Sequence, residues 1–478
     1  MRGVAAVLAC LLAASHASAA QTPTASPAPL RLREAILEAL RSSPALSGAL
    51  DSVETAKIQN RLAQSRFGLK IVPNVNAGTA PAGLGQRGFG FDLVKRLPFG
   101  AEISTSVSSM SYGTGESALR DAGYTIGVTQ PLFRGAGAAA TFDLKNAQRS
   151  VVASERNIAE AKHQLIVTAA DRFFAVLRQQ RLVRASERAL ERAATLRQAS
   201  EARARVGLAT EFDVLRADLL ASQASVTMAA QREALENALE ELNLLLGRPP
   251  AQPLDVADED LSDEGLAAQG LRPLEGDATN GVERFVRDAI GARSDVREAY
   301  DKVADARRAL SMSHWNLLPQ VNVNASFTER GLGPSATPAF AQFMNGWRVG
   351  LTTNYALDRS EQVAAAGTAS VSLRAAERAA LESERRVEAD VRRAYRAWTH
   401  SRETIEAQRK AVELAGKQLR LAQLRLDLGL ASSLDLVEAE NNLYQAQSAR
   451  IGAEVDRALA GLVLEHAAGT LDPERFQP

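Results

Sequence analysis

Two short segments of this chain set a glycine, a hydroxyl and a carboxylate at one spacing: Gly207, Thr210 and Asp213, then Gly429, Ser432 and Asp435. The chemistry this pattern supports is hydrogen bonding rather than bond cleavage. Glycine takes the left-handed backbone that ends a helix without steric cost. A hydroxyl followed three residues later by an acid satisfies the free amides that open the next helix. Each segment therefore reads as a sharp reversal between two helices. The segments are copies of one unit: Arg203 to Ala224 and Arg425 to Ala446 align at a constant offset of 222 positions. They share Arg203/Arg425, Gly207/Gly429, Leu208/Leu430, Ala209/Ala431, Asp213/Asp435, Ala217/Ala439, Gln223/Gln445 and Ala224/Ala446. An internal repeat of this density sets the architecture before any other signal.

Other residues with chemical potential do not assemble. The five histidines, His16, His163, His314, His400 and His466, are scattered, and no nucleophile, base and orienting acid come together by spacing. Gly83, Gly85 and Gly88 have the GxGxxG spacing of a dinucleotide loop, but a strand pattern follows, so no helix N-terminus is there to hold a phosphate. Met312 and His314 are an isolated pair near a helix end, the pattern of ordinary surface rather than of a soft-metal site. Arg178 to Arg192 interleaves arginine with Glu and Ala, as a solvated helix face does, and lacks aromatic stacking partners for bases. Lys+Arg and Asp+Glu are equal at 56 each, so no global field draws in nucleic acid. The expectation is a non-enzyme with no metal, no cofactor and no nucleic-acid partner.

The N-terminus carries Arg2, an apolar run from Val4 to Ala14 and the small-residue site Ala17-Ser18-Ala19, which marks residues 1–20 as a secretory signal peptide. Cys10, the only cysteine, would leave with it. A Pro/Ser/Thr-rich leader, residues 21–31, follows. The first half spans 32–248, an acidic Pro/Gly-rich linker 249–281, the second half 282–470 and a short tail 471–478. No later run reaches the roughly 20 apolar residues of a membrane helix.

Within each half the pattern predicts a helix, strands, a very long helix, a glycine turn and a returning helix. The opening helix starts near Leu32, restarts after Pro44 and ends near Phe67; its counterpart runs from about Val282 to Trp315. Strand segments alternate in period two: Val321, Val323, Ala325 and Phe327 against Asn322, Asn324 and Ser326; Trp347, Val349 and Leu351 against Arg348 and Thr352; Tyr124, Ile126 and Val128 against Thr125 and Gly127. Such strands fit a half-buried soluble sheet or a transmembrane barrel with apolar faces outward. The first half also holds an inserted hairpin around Arg96 to Gly100, which either adds two strands to the sheet or lies outside it. Between Gly137 and Gly207 there is neither glycine nor proline, which permits a helix of roughly 65 residues, about 100 Å long at 1.5 Å per residue. Leu144, Val151, Ile158 and Leu165 recur every seven residues along it, as in packed coils. Ser360 to Leu428 matches it, and the returning helices run from Thr210 to about Leu246 and from Ser432 to about Glu465.

The tips VGLATEFDVLRA (Val206 to Ala217) and LGLASSLDLVEA (Leu428 to Ala439), the strand-to-helix segment VTQPLFRGAG (Val128 to Gly137) and the opening segment ALRSSPAL (Ala39 to Leu46) carry a resemblance over nearly the whole mature chain. It resembles the TolC family of outer-membrane efflux and secretion channels. The resemblance implies a mainly α fold with β, in which a homotrimer closes one β-barrel in outer-membrane lipid, continuous with a periplasmic α-helical barrel. It implies a passive exit duct of a tripartite efflux or type I secretion system, fed by a periplasmic membrane-fusion adaptor and an inner-membrane transporter. The docking tips would comprise Arg203, Val206, Gly207, Leu208, Ala209, Thr210 and Asp213 with Arg425, Leu428, Gly429, Leu430, Ala431 and Ser432. The family's acidic constriction falls at Asp435 and Glu438, where three subunits would set two carboxylate rings; the plainer alternative is a capping Asp435 and a solvated Glu438. Ala431 stands where family members often carry a basic residue. The rival reading is an exported coiled-coil scaffold with a small soluble sheet. Cargo, whether drug, metal or protein, is left open.

Overall fold

A computed structural model describes residues 29–79, 85–113, 119–269, 271, 281–333, 344–428, 430 and 432–476. The signal peptide, most of the leader, Gly83, Gly429 and Ala431 lie outside the described residues. In the first half, helices α1 (Leu32–Ser42) and α2 (Pro44–Ser65) lead into strands β1 (Leu69–Thr79), β2 (Gly85–Arg96), β3 (Glu102–Tyr112) and β4 (Leu119–Pro131). Helices α3 (Phe142–Arg205) and α4 (Glu211–Leu245) complete it. A short helix α5 (Asp263–Ala268) precedes the second half: α6 (Gly281–Ala292), α7 (Ser294–Trp315), β5 (Gln320–Gly333), β6 (Met344–Asn354), α8 (Ser360–Asp427) and α9 (Ser433–Ala467).

The long helices meet expectation, at 64 residues for α3 and 68 for α8. At 1.5 Å per residue each is a rod of about 100 Å. The counterpart of α1 and α2 departs from it. Instead of one helix from Val282 to Trp315, the chain breaks at Arg293, whose backbone is extended. No proline sits there, and the break lies at a tertiary contact. Gly469, at φ +68, ends α9 and packs against Ala292 and Arg293; Gly247, at φ +72, ends α4 and packs against Ser42. In both halves the turn closing the returning helix fills the notch between the two opening helices. Ser42 Oγ donates to the Leu246 carbonyl at 2.6 Å, closing that joint.

The six strands form one antiparallel sheet in the order β1-β2-β3-β4-β5-β6. The inserted hairpin, β2 and β3, therefore belongs to the sheet, between β1 and β4. Its turn is anchored: Gly100, at φ +102, lies so close to the Gly135 carbonyl that a Cβ would come within 2.6 Å of it. The Gly137 amide also donates to the Phe99 carbonyl at 3.0 Å. The pairing register aligns the predicted faces across all strands. One face carries Leu69, Ile71 and Val75; Phe89, Phe91 and Leu93; Ile103 and Val107; Tyr124, Ile126 and Val128; Val323, Ala325 and Phe327; and Trp347, Val349 and Leu351. The other carries Asn74, Asp92, Ser104, Ser106, Ser108, Thr125, Asn324, Thr328, Arg348 and Thr352. Its groups bond one another, as in Asn74–Asp92 at 3.0 Å and Asn324–Thr352 at 2.6 Å. The apolar face is bare: Trp347 is 80 % exposed and Val75 81 %.

Among the described residues the helical core has three clusters, one of them joining α6, α8 and α9 through Val286, Trp398 and Leu464. Near mid-height Phe173, Phe174 and Leu177 of α3 pack with Ile36, Leu242, Leu462 and Phe476. Toward the glycine turns a narrower, alanine-rich cluster joins α3, α4, α8 and α9 through Ala193, Leu196, Ala217, Leu220, Leu419, Leu436 and Ala439. Small side chains there let four helices approach closely.

The acidic segment after Pro249 is packed rather than merely spanning. Leu30 and Val256 form a parallel bridge, and Leu261, Leu266 and Leu271 are buried. Asp258 pairs with Arg181 at 2.9 Å and with Arg184, while Glu259 accepts the Leu32 amide at 3.0 Å at the start of α1. The arginine stretch that read as a solvated face is thus half engaged: Arg181 also reaches Glu454 at 3.0 Å, and Arg192 reaches the buried Glu440 at 2.7 Å.

Candidate functional site: the helical tips

Each tip is built by backbone chemistry that its sequence dictates. At the end of α3, Gly207 turns at φ +76, so that the Leu208 amide donates back to the Arg203 carbonyl at 2.8 Å and the Gly207 amide to Ala204 at 3.0 Å. This pair of bonds is the glycine-terminated helix stop. The second tip repeats it, with the Leu430 amide on the Arg425 carbonyl at 2.8 Å. Helix α4 starts with the Thr210 amide donating to Asp213 at 3.1 Å and the Asp213 amide to Thr210 Oγ1 at 3.3 Å. Helix α9 starts with the Ser432 amide and hydroxyl on Asp435 Oδ2, at 3.0 and 3.3 Å.

The two tips of one subunit are tied together. Arg203 Nη2 reaches across to Asp427 at 2.6 Å, and the hydroxyl of the buried Ser433 donates to Asp213. That hydroxyl first, then the hydroxyl and amide of Thr210, hold the Asp213 carboxyl below its usual range. Sequence reasoning did not find Ser433 or Asp427. The signal lay in the mismatches between copies: Ser433 stands where the first copy has Glu211, and Asp427 where it has Arg205. Inter-half contacts need unlike partners, so identity between copies could not reveal them.

Arg425 is exposed and makes no ion pair among the described residues. Asp435 and Glu438 lie one turn apart on an exposed strip of α9; Asp435 is engaged as the cap, and Glu438 has no ion pair among the described residues. At the position equivalent to Glu438, Arg216 instead lies over the Phe212 ring at 4.1 Å. Around the turns Val206, Leu208, Phe212, Leu428, Leu430 and Leu434 stand exposed, Leu208 by 79 % and Leu430 by 72 %. Ala209 is half-buried. The site is therefore an apolar end cap on a rigid polar frame, with acids alongside. It offers apolar contact area and hydrogen-bonding carboxylates. Among the described residues no three metal-ligating side chains gather.

The outer membrane efflux protein model matches residues 35–248 and 285–470, one stretch in each half. The chain belongs to that family. An outer membrane efflux protein is a channel component and not a catalyst, which accords with tips built for contact. Solved structures agree in fold. The outer-membrane channel OprN is 18 % identical over 94 % of this chain and 91 % of that one, with a TM-score of 0.69. CusC is 15 % identical over 92 % of each chain, at 0.71. The open state of the MtrE outer membrane channel of Neisseria gonorrhoeae is 20 % identical over 92 % of this chain and 89 % of that one, at 0.66. No curated protein matches in sequence. Among the described residues no helix is long and apolar enough to cross a membrane.

Proposed function

We propose that three copies of this chain form a passive exit duct through the outer membrane. The observation that carries the reading is the sheet: one face mainly apolar across six strands, the other mainly polar, and, among the described residues, only the outer edges of β1 and β6 unpaired. Unpaired strand edges do not survive in hydrocarbon, so a six-stranded sheet must close on neighbours. In a meander of six strands β1 and β6 run in opposite directions, and each is 11 residues long. The β6 edge of one copy thus suits the β1 edge of the next. Three copies give a barrel of eighteen strands, about 36 Å across for strands spaced ~4.8 Å apart and tilted ~40°.

Below the barrel the long hairpins form a periplasmic tunnel ending at the tips. The exposed apolar cap there docks a periplasmic adaptor bound to an inner-membrane transporter, in a tripartite efflux or type I secretion assembly. Asp435 and Glu438 line the aperture, and the inner-membrane partner selects the cargo. The test is capture of the adaptor encoded beside this chain. Leu208→Asp with Leu430→Asp abolishes capture while the trimer stays intact. Undiminished capture by that variant overturns the docking assignment.

A further inference from the structure

The register sets an unexplained row on the apolar side of the inserted hairpin. Arg87 of β2 lies opposite Ser111 of β3, and Ser111 lies opposite Arg120 of β4. Alternation places Arg87 on the face of Phe89, Phe91 and Leu93, and Arg120 on the face of Tyr124, Ile126 and Val128. Both arginines are exposed and neither makes an ion pair among the described residues. Arg330, near the same end but on the polar face, is neutralised by Asp121 at 2.7 Å. On the polar face Lys70 and Arg348 make no ion pair among the described residues; on the apolar face Glu329, four residues along β5 from Gly333, the partner of Arg120, accepts the Tyr124 hydroxyl.

The height of the row gives its surroundings. From Lys95, at the turn end of β2, to Arg87 is eight residues, about 26 Å of strand or about 20 Å of height at a ~40° tilt. An apolar band in such barrels is about 25 Å tall. The row therefore sits about 5 Å below the upper edge of the band, within reach of that edge for a long arginine side chain, and beyond the ridge formed by Tyr124, Phe327 and Trp347, whose neighbouring rings are 6.2 and 5.0 Å apart. Two guanidinium groups two strands apart, about 10 Å, flank a hydroxyl. That spacing suits a phosphate monoester held from both sides with the hydroxyl beneath. Among the described residues the second half offers no equivalent: the same face of β5 and β6 carries Glu329, Gly331, Gly333 and Asn345 there, with no arginine.

We propose that Arg87, Ser111 and Arg120 clamp a phosphate of the outer-leaflet glycolipid, one site per subunit, and that the inserted hairpin exists in part to supply it. The proposal rests on the outer-membrane barrel reading above. Its test is titration of the purified detergent-solubilised trimer with bisphosphorylated lipid A and with the same lipid dephosphorylated. The wild type should bind the phosphorylated form at least about tenfold more tightly. Arg87→Ala with Arg120→Ala should erase that difference, and Arg87→Lys with Arg120→Lys should retain part of it. Arg348→Ala, on the polar face of β6, should leave it unchanged. Equal binding of the two lipids by wild-type trimer overturns the clamp while leaving the duct reading intact. A wild-type chain that fractionates as a soluble monomer overturns both.

Discussion

The tie between the tips invites a direct perturbation, Ser433→Ala. Ser433 is buried and its hydroxyl donates to a carboxylate already held by Thr210. Hydrogen bonds to charged groups contribute about 1.5–3 kcal/mol. Here Asp213 keeps its Thr210 partners and is only half-buried, and alanine leaves no orphan donor, so the low end applies. A loss of about 1.4 kcal/mol corresponds to about tenfold more frequent opening of the joint. Unfolding of a membrane trimer is seldom reversible, so the appropriate assay is amide hydrogen exchange on the intact trimer. Residues 206–214 and 428–436 should lose about tenfold in protection together, while mid-height residues around Phe173 stay unchanged. The tie also has a pH signature. Because the folded Asp213 carboxyl titrates below its unfolded value of about 3.9, its stabilisation is complete above that pH and is lost as pH falls through the lower folded value. Ser433→Ala should weaken this acid sensitivity. Unchanged protection in both tips, or loss confined to one, would refute the cross-tip coupling.

Three further outcomes follow from other parts of the molecule. Asp435→Asn with Glu438→Gln should lower cation selectivity in planar-bilayer conductance, and unaltered reversal potentials would return Asp435 to a capping role alone. Arg192→Ala leaves Glu440 buried without its 2.7 Å partner and should destabilise the four-helix neck by about 3 kcal/mol, read as increased protease susceptibility near the tips. Burial pushes Glu259 up despite its bond from the Leu32 amide, so the ionised form is penalised in the fold; the stability this group contributes lies below its unfolded value of about 4.3 and is lost as pH rises through the folded one. Glu259→Gln should therefore raise the thermal midpoint near neutral pH, with the gain vanishing around pH 4.

Much of this fold was legible because it is written in local periodicity and written twice. The glycine turns, the capping acids and the alternation of Val323 to Phe327 each follow from a few adjacent residues. What escaped depends on contacts distant in sequence. The break at Arg293 lies against Gly469, and no proline near Arg293 announces it. The β2–β3 hairpin reads the same in or out of the sheet until Phe91 is seen opposite both Pro73 and Val107. The acids of the segment after Pro249 look like a solvated linker until Arg181 and Arg184 are brought beside Asp258. At the tips, the shared residues could be read, and the unlike pairs Arg203–Asp427 and Asp213–Ser433 could not.

The most direct measurement of the whole account is an image of the mature chain assembled in lipid at side-chain resolution. It should show three copies closing eighteen strands, with β6 of each copy hydrogen-bonded to β1 of the next and Trp347, Val349 and Val75 turned to the acyl chains. A sheet whose apolar face is covered within one subunit, or a β1 edge left open to solvent in a stable monomer, would contradict it.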